Sequence, residues 1–336
     1  MKRLSEYFVV DNRKVFKGLL KHKRKPVIHI GMFKAGSTSL QENVFSRHSQ
    51  ILNIWKPTYE EILRQAINLE ENELPRQDIE SFIRSRREQA SNENKVLVAS
   101  NEQIIGLPTI TLAATRLKEF IPDAKILMVV REQRALIRSY YMYQCRRLSG
   151  YFGVPKKYEG LPVDFKDFFE WHIPADMNES QHKTQKFLQL AWRLKYAKTI
   201  ALYEDLFGRE NVEVLPIEKM RAAPAAFARR LGDFMQIDAG ELERLFDAPA
   251  KNTSPVHTEF AYERWRSRFP RIPFSRFLPF SDHIKPWIKN VVAAKSDDAM
   301  EIDPEMEQRI VALYSSENRK IQEKYKLDLE KYGYVL

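Results

Sequence analysis

Four short apolar runs stand out along the chain, at residues 27–30, 96–99, 126–130 and 212–215. Each is rich in valine, leucine and isoleucine and lacks the regular apolar–polar alternation of a strand with one wet face. Longer stretches with helical periodicity separate them. The pattern predicts an α/β architecture, a parallel sheet flanked by helices on both faces. His29 falls inside the first run and is expected to be a buried, structural histidine.

Helices are predicted over 39–45, 77–89, 111–120, 134–147, 186–207, 227–235 and 305–325, with 186–207 read as one long amphipathic element. The last begins after Asp303-Pro304, a capping carboxylate followed by proline at the first helical position. Residues 251–298 are rich in proline, arginine and aromatics without a period, and are expected to form a long surface excursion packed on the sheet. Neither an internal repeat nor a low-complexity tract divides the chain, so 26–336 reads as one domain behind a basic leader over 1–25.

Composition narrows the setting. The chain has 55 Lys and Arg against 45 Asp and Glu, a formal net charge of +10, which favours anionic partners. On charge alone, nucleic acid, an anionic membrane surface, an acidic glycan and a nucleotide all stay open. Cys145 is the single cysteine, which excludes an intramolecular disulfide and a multi-cysteine metal site and suits a reducing compartment, so a cytoplasmic location is expected. No apolar run approaches the ~18 residues of a membrane span. Asp11, Arg13, Lys14 and Lys17 interrupt the leader, which therefore is not a signal peptide. It reads as solvated, with peripheral contact to a membrane as the alternative.

The densest chemical signal follows the first apolar run, in His29-Ile30-Gly31-Met32-Phe33-Lys34-Ala35-Gly36-Ser37-Thr38-Ser39-Leu40. Gly31 and Gly36 stand five positions apart between a predicted strand and a predicted helix. That is the spacing of a P-loop, in which backbone N–H groups wrap a phosphate. Ser37 occupies the position where the P-loop lysine usually stands, and the lysine lies inside the loop as Lys34. A cation there can sit beside a bridging oxygen at the 5′ end of a nucleotide. Ser37, Thr38 and Ser39 add hydroxyls at a helix N-terminus whose dipole also favours an anion.

This segment resembles the 5′-phosphosulfate-binding loop of sulfotransferases that use 3′-phosphoadenosine-5′-phosphosulfate (PAPS), with Ala35 where serine or threonine is commoner. In that family a strand ends in an arginine and a serine follows eight residues later, the two together holding the 3′-phosphate. Arg131 and Ser139 match that spacing, although Glu132-Gln133 replaces the usual Asp/Asn-Pro after the arginine. An arginine fork supplies bidentate, charge-assisted bonds to phosphate. Glu102 follows the second apolar run in a Ser-x-Glu context similar to the general base of heparan-type members. Lys251, in Lys251-Asn252-Thr253-Ser254, falls where relatives touch the nucleotide. The resemblance covers roughly 26–336 and includes 203–207, 212–218 and 310–334.

The resemblance implies a P-loop nucleotide-kinase-like sulfotransferase fold, with PAPS as cosubstrate, 3′,5′-ADP as product and no metal in the chemical step. Lys34 and Glu102 are the candidate catalytic residues. Lys34, Ala35, Gly36, Ser37, Thr38, Ser39, Arg131, Ser139 and Lys251 are the candidate nucleotide ligands. The acceptor is expected among glycans, lipids, small molecules and peptides, with a glycan or lipid-linked sugar favoured. The arginine- and aromatic-rich stretch 262–280 reads as a basic acceptor wall and not as a nucleic-acid site, since no nucleic-acid module accompanies it. Two rival readings stay open: a P-loop phosphotransferase and a noncatalytic nucleotide- or polyanion-binding protein. His172, His182 and His257 are the alternative bases. The oligomeric state is not legible.

Overall fold

The computed structural model describes residues 24–32, 34–54, 60–101, 104, 110–146, 165–175, 190–246, 287, 290–291 and 300–336. Five strands form one sheet: β1 (Val27–Gly31), β2 (Ile51–Asn53), β3 (Val96–Asn101), β4 (Lys125–Val130) and β5 (Val212–Pro216). All neighbours are parallel and the order is β2-β3-β1-β4-β5. The four predicted strands are present, and β2 is an addition. It is three residues long and pairs through its backbone with one edge of β3, so it has no apolar run of its own.

Side chains alternate across the sheet as the strand period requires. Ile28, Ile30, Ile126, Met128, Val130 and Val214 point into one core. That core is completed by α4 (Ile110–Phe120), α5 (Gln133–Arg146), α8 (Tyr196–Phe207) and α12 (Pro304–Tyr325). Val27, Leu127, Val129 and Leu215 point into the other. There they meet the wide-turned helical segment Leu40–Phe45, α10 (Pro224–Met235) and α11 (Ala239–Phe246). Burial on both faces explains why the strand sequences lack alternation.

The other helices are α1 (Ser37–Ser39), α2 (Glu60–Asn68), α3 (Arg76–Asn92), α6 (Phe165–His172), α7 (Leu190–Arg193) and α9 (Ile217–Ala222). The long helix expected over 186–207 is corrected: α7 ends, Lys195 takes a non-helical ψ of 72°, and α8 starts afresh at Tyr196. The restart turns Tyr196 inward, where its hydroxyl bonds the backbone of Arg131. Asp303 caps α12 as its sequence suggests, accepting from the Met306 N–H at 2.9 Å. Among the described residues no helix is long and apolar enough to cross a membrane. The leader up to residue 23 and the excursion over 251–298, apart from 287 and 290–291, lie outside the described residues.

His29 is fully buried in the central strand, edge-on to Phe45, with Nδ1 2.7 Å from the Ser100 hydroxyl. Gln41 donates to that same hydroxyl, at 3.0 Å. Burial holds the His29 imidazole neutral, its pKa lowered to about 3. An unfolded chain protonates histidine near pH 6.5, so below that pH protons favour the unfolded chain, and stability falls as pH drops toward 3. His29→Asn keeps a polar atom near Ser100 but cannot titrate. It should shrink the loss of unfolding free energy between pH 7 and pH 4.5 by about 2.5 kcal/mol, read from urea titrations at both pH values. An undiminished loss would assign the acid sensitivity to other groups.

Candidate functional site at the carboxyl edge of the sheet

The strand order creates a crevice. From β1 the chain leaves toward β2 on one side, whereas from β4 it leaves toward β5 on the other. At such a switch point the loops after the two central strands part, and open α/β sheets bind ligands there. The loop after β1 and the turn after β4 are the two segments singled out by their sequence. Asn101, the last residue of β3, lies in register with Ile30 on the other side of β1.

The first loop is bent by two left-handed residues, Lys34 at φ 66° and Gly36 at φ 83°. Ala35 donates its N–H to the Met32 carbonyl at 3.1 Å, and its methyl is buried in the core of the first face. The structure therefore gives Ala35 a part in shaping the loop, and its amide is engaged within it. Gly36 caps α1 and packs so closely on α9 that an added Cβ would stand 2.5 Å from Ile217 Cδ1. Ser37 is buried, and its hydroxyl has no hydrogen-bond partner among the described residues. A Cβ on Gly31 would lie 3.3 Å from that hydroxyl and 3.6 Å from His29 Nε2, a second unpartnered buried atom. Thr38 and Ser39 are half-buried, and Asn43 Nδ2 approaches the Ser39 hydroxyl at 3.5 Å. The helix then widens over Leu40–Phe45 into π geometry, with the Ser46 N–H reaching back to the Gln41 carbonyl. Such turns are frequent beside functional sites.

Arg131 follows β4 directly. Its Nη1 donates to the Lys34 carbonyl at 2.6 Å, so the two sequence-predicted anchors meet. Burial pulls the guanidinium below its usual value, and the nearby Glu218 carboxylate opposes that shift. Glu132 takes the helix-cap position: its carboxylate accepts from the N–H groups of Arg134 at 3.0 Å and Ala135 at 2.7 Å. Ser139 is buried on α5, one turn before Tyr143 and hence on the same side. Lys34 Nζ stands 5.3 Å over the Tyr143 ring, which places that side of α5 against the loop.

Sequence reasoning did not single out Tyr196 or Glu218. Tyr196 donates from its hydroxyl to the Arg131 carbonyl at 2.7 Å. Glu218 accepts from the Glu132 N–H at 2.9 Å and from the Tyr334 hydroxyl at 3.0 Å. Burial raises the Glu218 carboxyl pKa, against those hydrogen bonds and the field of Arg131. Its place just after β5, at the carboxyl edge, was the available signal. Glu102, Lys251, His182 and His257 lie outside the described residues. His172 is buried among Tyr140, Phe168 and Trp171, and desolvation keeps it well below the ordinary histidine range.

The sequence model of the family described as Sulfotransferase domain matches residues 24–259. No curated protein sequence matches the chain. Among solved structures, a sulfotransferase from Alicyclobacillus acidocaldarius is similar in fold at 16% identity, covering 92% of this chain and 98% of that one, with a TM-score of 0.50. The sulfotransferase domain from the curacin biosynthetic pathway matches at 15% identity, with 90% and 98% covered and a TM-score of 0.43. Mouse sulfotransferase SULT7A1 complexed with PAP matches at 13% identity, with 82% and 86% covered and a TM-score of 0.38.

Gly36→Ala tests how tightly the loop is specified. A left-handed alanine costs about 1–2 kcal/mol, and the new methyl must also push Ile217 aside or move the loop. The variant should lose at least that much unfolding free energy in urea. Parental stability would show that the loop relaxes without cost.

Proposed function

The chain belongs to the sulfotransferase family, and from that premise we propose that it moves a sulfonyl group from PAPS to a hydroxyl or amine of an acceptor, releasing 3′,5′-ADP. The observation that carries the donor reading is the Arg131–Lys34 bond at the crevice between β1 and β4. It joins the two elements that we assign to anion binding, and PAPS carries anionic groups at both its 5′ and 3′ ends. The loop from Gly31 to Ser39 would take the 5′-phosphosulfate, and Arg131 with Ser139 the 3′-phosphate. The residues fit such a ligand. Ser37 offers a buried hydroxyl that lacks a partner, and α1 begins inside the loop. Lys251 is proposed as a further nucleotide contact.

In the reaction we propose, an acceptor oxygen or nitrogen attacks sulfur in line. The bond from sulfur to the 5′-phosphate oxygen breaks, and its electron pair stays on that oxygen. Lys34 neutralises the charge growing there, the electrostatic logic of group transfer between oxyanions. Glu102 takes the acceptor proton. What supports it is the register of Asn101 beside Ile30, since Glu102 is the next residue of the chain. For the acceptor we propose a glycan or lipid-linked sugar, met by the basic and aromatic stretch 262–280. We assign the cytoplasm on the single thiol.

Nucleotide preference tests the donor. A ligand present at 100 times its dissociation constant stabilises the folded state by about 2.7 kcal/mol. 3′,5′-ADP should raise the melting temperature far more than ADP, or ATP with Mg²⁺, and Arg131→Ala should abolish the difference. Equal or stronger stabilisation by Mg-ATP would return the protein to the phosphotransferase reading. Turnover tests Lys34. Lys34→Ala should lower kcat by roughly 10²–10³ while weakening 3′,5′-ADP binding only modestly. A raised KM with unchanged kcat would make Lys34 a ground-state ligand only.

A further inference from the structure

The peptide unit joining Arg131 to Glu132 has left the sheet. The β4–β5 ladder ends at Val130 opposite Pro216, and the β1–β4 ladder ends at Val129. Its carbonyl and N–H therefore need other partners, as buried backbone groups do. Both find side chains. The Tyr196 hydroxyl donates to the Arg131 carbonyl, and Glu218 Oε1 accepts the Glu132 N–H. Tyr196 is the first residue of α8 and is fully buried. Glu218 lies in the first turn of α9, and its second oxygen is held by the Tyr334 hydroxyl, so the carboxylate is fixed at both ends. Helices from two parts of the chain and the segment after α12 thus converge on one peptide unit, the one beside the root of the Arg131 side chain.

Resting on the donor reading above, we propose that Tyr196 and Glu218 are positioning residues for recognition of the 3′-phosphate. They act through Arg131 and touch neither the nucleotide nor the acceptor. An arginine side chain is long and rotamer-rich, whereas a bidentate bond to phosphate is directional. Anchoring the root on two hydrogen bonds, with the tip on the Lys34 carbonyl, limits where the fork can point. The Glu218 carboxylate also opposes the effect of partial burial on the Arg131 guanidinium. A brace of purely structural kind would weaken every nucleotide alike. A positioning role erodes the preference for the 3′-phosphate.

Calorimetric titration with 3′,5′-ADP and with ADP gives that preference as a ratio of affinities. Tyr196→Phe removes one oxygen and should lower the ratio roughly three- to tenfold, the scale of one buried hydrogen bond. Glu218→Ala should lower it by a similar factor. Glu218→Gln, whose amide oxygen still accepts the Glu132 N–H, should recover most of the preference. The proposal is overturned if Tyr196→Phe keeps the parental ratio, if both affinities fall in parallel, or if the ratio rises in Glu218→Ala. Should Glu218→Ala not fold, Tyr196→Phe alone decides. A parent protein that does not distinguish the two nucleotides overturns the donor reading itself, and this proposal with it.

Discussion

A guanidinium partly withdrawn from water calls for acceptors, because a charge loses hydration as it is covered. Arg131 meets that demand at the carboxyl end of β4, and much of the surrounding structure follows from how it does so. Its Nη1 bonds the Lys34 carbonyl across 97 residues of sequence. That carbonyl is presented because Lys34 adopts a left-handed conformation between the core-bound Ala35 and the end of β1. The bond therefore holds an unfavourable backbone conformation and a half-buried charge together. A carbonyl is a neutral acceptor, and a phosphate oxygen is a stronger one. In the donor reading proposed above, the geometry that stabilises the fold also holds the fork ready for the 3′-phosphate.

The rest of the molecule maintains that arrangement. Parallel strands buried on both faces give a rigid floor, and their order separates the loops after β1 and β4. Support also comes from beyond residue 259, where the family match ends. Tyr334 holds Glu218, and Arg134 reaches the Gly333 carbonyl. The buried amides of Gln133 and Asn318 bond each other, and Asn318 holds the Val335 carbonyl at 2.8 Å. The β4–α5 turn is thus clamped by the C-terminal segment as well as by its sequence neighbours.

What could be read from the sequence was what local chemistry dictates. The apolar runs became strands because a doubly covered strand needs continuous apolar residues. Gly36 was legible by its five-position spacing from Gly31, and the structure gives the reason for a glycine there: the turn is left-handed and α9 leaves no room for a side chain. Lys34 and Arg131 were legible by spacing, although nothing in the spacing showed that their groups meet. β2 was missed because an edge strand of three residues is specified by its partner. The break at Lys195 was missed because α8 is oriented by the Tyr196 hydroxyl, whose acceptor lies 65 residues away. Glu218 was missed for the same reason, as its hydrogen bonds reach 86 and 116 residues.

The two departures from the family pattern have local physical reasons. Where the family commonly has serine or threonine, this chain has Ala35, and here that side chain is buried among Ile30, Met32 and other core residues. A hydroxyl in such a place would have to find a partner or lose its hydration without return. Alanine keeps the turn and removes that demand. Where the family has Asp/Asn-Pro, this chain has Glu132-Gln133. The longer carboxylate still folds back onto the N–H groups of Arg134 and Ala135, so the cap of α5 is retained. Gln133 in place of the proline brings a polar side chain, and that side chain is paired with Asn318 on α12. The substitution thus exchanges a locally stiff turn for one stiffened from a distance. This is why the β4–α5 turn, though unlike the family's in sequence, still presents Arg131 to the loop after β1.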